Sequence, residues 1–348
     1  MGVNLRDLIP REALTEVELK DLKGRIIALD AYNMLYQFLS AIRQPDGTPL
    51  MDREGRITSH LSGLFYRTIN LVEEGIKPVY VFDGSPPEMK KREIERRMQA
   101  KSEAQERYKR ALELGDVESM RKYAQATAKL TRDMVEESKR LLHAMGIPYV
   151  QAPQEGEAQA AYMAAKGDAW ASGSQDYDSL LFGTPRLVRN LAITGKRKLP
   201  GRNLYVEIKP EIIELSKLLN SLGITREQLI ILGIMLGTDY NPGGIKGIGP
   251  KTAVKIVKNA SSIEELKNYV KSRLEGDIEE IYSYFLKPST TDDYRIVWRK
   301  PDRETIYKIL VDEHDFNPVR VEKALERLMK AYNENLRTRY TSLDKWFA

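Results

Sequence analysis

The stretch RIIALDAYNMLYQFLSAI, Arg25 to Ile42, decides the fold. Its first part is a run of strand-forming apolar residues that closes on Asp30, and a helical stretch follows at once. The same unit recurs downstream. After the amphipathic run ITSHLSGLFYRTINLVEEG, ended by Gly75, KPVYVFDG is again a β-rich apolar run closing on an acid, Asp83. Strands alternating with helices predict an α/β fold with a central, mainly parallel sheet flanked by helices. Functional residues in such sheets gather at the carboxyl ends of strands, where Asp30 and Asp83 fall.

Further along, IPYVQAP predicts a strand that leads into QEGEAQAAYMAAK. Glu155 and Glu157 open that helical run, where unpaired backbone N–H groups tolerate negative charge. DAWASGSQDYD reads as a weaker strand ending in Asp176 and Asp178; in an extended segment, residues two apart point the same way. Phe182 to Leu191 and Leu204 to Ile208 read as further strands joined by a basic loop, TGKRKLPGR. Helices dominate beyond Pro210, and apolar LIILGIMLGTDY delivers Asp239. Each acid pair alone reads more readily as a helix cap or a first-turn acid, so the case for a site rests on acids arriving from elsewhere in the chain. Seven acids brought together would repel, and some would protonate unless a cation sat among them. Oxygen-only ligands favour magnesium or manganese over zinc.

Two segments stand outside this pattern. From Glu88 to about Leu142 the chain is helical in composition, densely charged, and poor in apolar residues before Leu112, with a break at Gly115 and Asp116. A helix without a broad apolar face is not ordinary core packing; it is a solvated surface helix or a basic projection over a site. GIGPKTA, Gly247 to Ala253, has the form of a helix–hairpin–helix phosphate grip. Gly247 and Gly249 let backbone N–H groups approach a phosphate at a helix start, and Lys251 and Lys255 add charge. The chain has 348 residues and a formal net charge of +5, a balance compatible with nucleic acid. Without cysteine it can form neither disulfides nor thiolate metal sites. No signal peptide or membrane-spanning apolar run is found, so an intracellular protein is expected. The three histidines, His60, His143 and His314, lie in no metal-ligand spacing.

LDAYNMLYQF, VFDGSPPEMK, QEGEAQAAY, SQDYDSLLFG and GTDYNPGGIKGIGPKTA occur in that order, with the charged insertion between the second and third. Over nearly its whole length the chain resembles the flap endonuclease branch of the structure-specific 5′ nucleases, of archaeal type. The resemblance implies a PIN-like nuclease core, residues 1–335, with a helical arch at about 85–135 and the helix–hairpin–helix element at about 237–260. It implies 5′ flap endonuclease and 5′-3′ exonuclease activity on branched DNA in replication and repair. Hydrolysis would use two Mg2+ ions, with Mn2+ able to substitute, and leave 5′-phosphate and 3′-hydroxyl ends. Asp30, Asp83, Glu155 and Glu157 match the acids of one metal; Asp176, Asp178 and Asp239 match those of the second. Lys90 and Arg97 match the basic arch residues, and Tyr36 the aromatic near the scissile nucleotide. Thr58 and Arg67 match duplex-contacting positions. Residues 336–348 resemble a peptide that docks on the sliding clamp (PCNA). Leu343, Trp346 and Phe347 fill the apolar positions, and Tyr340 stands where the family has glutamine. The free protein is expected to be a monomer, and the resemblance suggests that loss of Met1 would put the Gly2 amine near the active site. Rival readings are a sister nuclease for bubbles, junctions or nicks, a PIN-type ribonuclease, and a non-catalytic DNA clamp adaptor. The adaptor would gain nothing from seven acids beside phosphate.

Overall fold

In the computed structural model the described residues are 2–336, except 45, 115, 117–118, 120–122, 124–126, 194, 199–204 and 275. The strand–helix unit that opens the sequence folds as read. Following the short strand β1 (Leu14–Glu16), β2 (Ile26–Asp30) runs directly into helix α1 (Ala31–Ala41), with Asp30 as its N-cap. Helix α2 (Ser59–Glu73) packs on α1 and leads to β3 (Lys77–Phe82). Along β2 and β3 the side chains alternate between two cores. Ile27, Leu29, Tyr80 and Phe82 enter one, and Ala28, Val79 and Val81 enter the other. Burial on both faces is what a central parallel strand requires, and each large apolar side chain sealed there contributes about 1.5–3 kcal/mol.

After β3 come the long charged helix α3 (Lys91–Glu113), in the segment read as an arch, and helix α4 (Arg132–Ala144). The chain re-enters the sheet as β4 (Tyr149–Gln151), followed by α5 (Gly156–Lys166), β5 (Ala171–Gly173) and the one-turn helix α6 (Asp178–Leu181). β6 (Arg186–Arg189) precedes a two-stranded hairpin of β7 (Gly195–Lys198) and β8 (Tyr205–Ile208), and β9 (Glu211–Glu214) closes the sheet. Helices α7 (Leu215–Leu222), α8 (Arg226–Leu236), α9 (Pro250–Asn259), α10 (Ile263–Lys271) and α11 (Ile278–Leu286) form a second lobe of core around Leu229 to Met235. An extended segment then returns across the sheet, where Trp298 Nε1 donates to the Pro78 carbonyl at 3.1 Å, before α12 (Arg303–Tyr307) and α13 (Pro318–Ala331).

The seven-stranded sheet has the order β1-β9-β6-β5-β2-β3-β4. From β6 through β4 every pairing is parallel, whereas β9 runs antiparallel to both β6 and β1. The mainly parallel expectation therefore holds, with an antiparallel edge that the sequence reading did not foresee. Two readings need correction. The loop TGKRKLPGR is partly strand, since its Gly195–Lys198 portion pairs with Tyr205–Ile208. The run from Phe182 becomes a strand only at Arg186, because Asp178–Leu181 is already helical. Helices do dominate beyond Pro210, after the four residues of β9. Gly115, where a break was expected, lies outside the described residues, but α3 does end at Glu113, just before it.

Candidate active site

The parallel strands end along one edge, and the acids collect there. Asp30 ends β2 and accepts from the Asn33 N–H at 2.9 Å, a cap that fixes its direction. Asp83 follows β3 and accepts from the Gly156 N–H at 2.7 Å. That contact needs glycine: a Cβ on Gly156 would fall 2.8 Å from Asp83 Oδ1 and 2.9 Å from the Val81 carbonyl. Glu155 stands at the N-cap position of α5 without a capping bond from its side chain, and Glu157 on the first turn accepts from Ser179 N at 3.0 Å and Ser179 Oγ at 2.6 Å. Asp176 is reached by Asn33 Nδ2 at 3.3 Å. Asp178 accepts from the Val3 N–H at 2.6 Å, and Gly2 lies so close that a Cβ there would sit 2.5 Å from its carboxylate. Asp239 follows α8 in a turn held by Thr238 Oγ1 and Asn241 Oδ1 at 2.6 Å and by Asn241 Nδ2 on the Ile234 carbonyl at 2.6 Å.

The Asp176–Asp178 pair is not placed by strand alternation. β5 stops at Gly173, and Asp178 is the first residue of α6, so its direction comes from a helical turn. The sequence reading also overlooked Asn33, which touches acids on two elements. Its position three residues after Asp30, one helical turn on, is a signal that a capping search would have caught.

Burial is the main electrostatic fact. It raises Asp30 to about 7, with the charges of Asp176 and Glu155 adding and the Asn33 N–H opposing. It raises Asp178 to about 7 as well, helped by Asp239 and opposed by the Val3 N–H. Asp83 and Glu157 are pushed well above the usual carboxylate range, first by burial and then by neighbouring acids. Carboxyls forced toward neutrality in a dry cluster call for a cation. Two come from the arch. Lys90 Nζ lies 2.5 Å from Glu155 Oε2 and 3.5 Å from Asp239 Oδ2. Arg97 Nη2 reaches both oxygens of Asp239 at 2.7 Å, while its Nε holds Glu93 at 2.7 Å. Burial opposes the charge on Lys90, but Glu155 and Asp239 outweigh it and raise its pKa.

The donor set is oxygen only, which fits magnesium or manganese. Among the described residues no three acids already stand in a coordinating arrangement. Arch cations lie against Glu155 and Asp239 instead. The chemistry of the set thus fits a divalent ion.

Tyr36 is partly exposed beneath α3, with Lys101 Nζ 4.7 Å from its ring centre. Lys251 and Lys255 project into solvent from α9, which starts at Pro250 with Gly249 as N-cap, and Gly247 has a φ of 85°. Thr58 and Arg67 are not displayed so openly. Thr58 is buried, and Arg67 Nε donates to the Ala192 carbonyl at 3.2 Å. Tyr340, Leu343, Trp346 and Phe347 lie outside the described residues.

The family models described as the XPG N-terminal domain and the XPG I-region match residues 1–104 and 146–239. Flap endonuclease 1 of Aeropyrum pernix is 70% identical over 349 residues, covering 100% of both chains. This chain belongs to the flap endonuclease family. Flap endonuclease 1 of Hyperthermus butylicus is 63% identical, with 99% of each chain covered. The solved structure of flap endonuclease-1 from Methanococcus jannaschii superimposes with a TM-score of 0.77 at 45% identity, covering 96% of this chain and 99% of that one. Flap endonucleases are structure-specific, metal-dependent nucleases that hydrolyse DNA phosphodiester bonds. No single helix among the described residues is long and apolar enough to cross a membrane.

Proposed function

We propose that this flap endonuclease removes 5′ flaps from branched DNA, and trims 5′ ends, by hydrolysis with two Mg2+ ions. The observation that carries this reading is the convergence of seven carboxylates from five places in the chain beneath two cations of the arch. Asp30, Asp83, Glu155 and Glu157 would hold one ion and Asp176, Asp178 and Asp239 the other. The chemistry supplied by bound magnesium is a water acidic enough to attack at neutral pH and neutralised charge on the attacking and leaving oxygens. Lys90 and Arg97 grip the scissile phosphate, and Tyr36 supports the neighbouring base. Gly247, Gly249, Lys251 and Lys255 hold the duplex backbone through N–H groups and charge. Residues 1–335 form the nuclease unit, and residues 336–348 dock it on a sliding clamp.

The test is a labelled double-flap substrate beside matched nick and junction substrates, with and without Mg2+. Preferential cutting at the flap base, dependent on Mg2+, is expected. Equal cutting of junctions would instead make the chain a sister nuclease with the same acids. For the clamp, removal of Tyr340 to Ala348 should leave basal cleavage unchanged and abolish stimulation by the sliding clamp. Retained stimulation would end that assignment.

A further inference from the structure

We propose that Arg189 is a positioning residue that sets the divalent-cation affinity of the site by gripping the loop that carries Asp176 and Asp178. The inference rests on reading those two acids as metal ligands. The loop is irregular: it lies between Gly173, where β5 ends, and Asp178, where α6 begins, and the backbone bond to β6 goes no further than the Ser174 N–H, which donates to the Val188 carbonyl at 3.2 Å. Arg189 ends β6 and reaches back across it. Its Nε donates to the Gln175 carbonyl at 3.2 Å and its Nη1 to Tyr177 Oη at 2.7 Å. The guanidinium carbon lies 4.3 Å from the centre of the Tyr177 ring. Tyr177, the residue between the two acids, is 7% exposed. Anchoring it in the core therefore fixes the chain between the two carboxylates. Asn33 holds the same loop from the opposite side. Its Oδ1 accepts from the Gln175 N–H at 3.4 Å and its Nδ2 donates to Asp176 at 3.3 Å. Gln175 is thus held at its N–H by one helix and at its carbonyl by one strand. A planar fork that bonds two acceptors while covering an aromatic face is something arginine offers and lysine does not.

The plainer account is that Arg189 serves its cross-strand partner. Arg189 and Glu211 stand opposite each other in the β6–β9 register, with Nη1 2.9 Å from Glu211 Oε2. The two accounts separate by partner and by sign. If only the ion pair matters, Glu211→Gln should do what loss of Arg189 does. If only the charge of Arg189 matters, removing a cation near the acids should tighten binding of a second cation. A positioning role demands the reverse.

The experiment titrates Mn2+ into the full chain without DNA, reading free Mn2+ by electron paramagnetic resonance, with circular dichroism to verify folding. Arg189→Met should weaken Mn2+ binding about tenfold or more, the scale typical of groups that orient metal ligands. Arg189→Lys keeps the charge and the reach to Glu211 but not the fork, and should weaken it in the same direction. Glu211→Gln should stay within about twofold of wild type. Wild-type or tighter Mn2+ binding in both Arg189 variants overturns the proposal, as does an equal loss in Glu211→Gln. If Arg189→Met fails to fold, Arg189→Lys decides alone; if neither folds, Arg189 is part of the scaffold and the proposal falls. Asp178→Asn is the companion control. Undiminished Mn2+ binding there would overturn the reading of the acids as ligands, whereas a loss there with none in the Arg189 variants would overturn only the role of Arg189.

Discussion

Asp178 is buried against the Val3 N–H and feels Asp239, so its charge is costly until something positive balances it. Asp178→Asn keeps the shape and removes that charge. Flap binding and folding should survive while cleavage is nearly abolished, and wild-type turnover at limiting Mg2+ would refute the assignment. At this scale the sequence was informative about identity and poor about geometry. All seven acids could be named, because each ended an apolar run or opened a helix. How they meet could not be read, since Asp178 owes its direction to a helical turn and an N-terminal N–H 175 residues away. Arg189 was invisible for the same reason: its contacts exist only once β6 lies beside the loop after β5.

The roles proposed for α3 and α9 separate by what each would change. Lys90 and Arg97 both face the acids, although Lys90 sits in the tight turn just before α3. Arg97 also pairs with buried Glu93, so the solvated-face account of this helix does not suffice. Its charge counts most where water is excluded and negative charge builds, so Arg97→Ala should lower single-turnover cleavage on the order of 10²-fold. Flap binding should fall far less, and added Mg2+ should not restore the rate. A rate within a few-fold of wild type would reduce the arch to a tether. The role proposed for Lys251 and Lys255 bears on affinity instead. Replacing both Lys251 and Lys255 by Ala should weaken binding to duplexes of any sequence. It should also flatten the salt dependence by about 2 in slope, near 0.9 for each phosphate no longer neutralised. An unchanged slope would mean that α9 faces something other than DNA. Element types were legible here from composition, whereas the antiparallel edge, β1 with β9, was not, because three- and four-residue strands carry too little pattern.

For the whole molecule, the acid cluster sets a dependence of stability on pH. Asp30 and Asp178 have folded pKa values near 7, above the 3.8 usual for aspartate, so the native state binds more protons than the unfolded chain between those limits. Metal-free stability should therefore fall as pH rises from about 4 to about 7. His314 adds to the upper end. Its hydrogen bond to Glu137 raises its pKa above 6.5, with Asp52 assisting, so its contribution is complete below 6.5 and is lost as pH rises through the folded value. Thermal unfolding in EDTA and in Mg2+ separates the two. Mg2+ should restore the part due to the acids and leave the part due to His314, and a flat profile in EDTA would contradict the burial of the acids. The root of the arch bears on descent rather than chemistry. The arch leaves the sheet after β3 and returns at β4, strands that are paired neighbours. There the two chain paths are clasped, with the Gly84 N–H on the Gln154 carbonyl at 2.6 Å and the Ser85 N–H on the Pro153 carbonyl at 3.3 Å. No side chain fits at Gly84, where a Cβ would lie 2.3 Å from the Pro153 carbonyl. Lengthening a segment whose ends are already joined costs little, about 0.6 kcal/mol for each doubling. Mutation can therefore add or delete turns between β3 and β4 while the inherited sheet beneath keeps its register, so this segment is free to vary in length among descendants of one core.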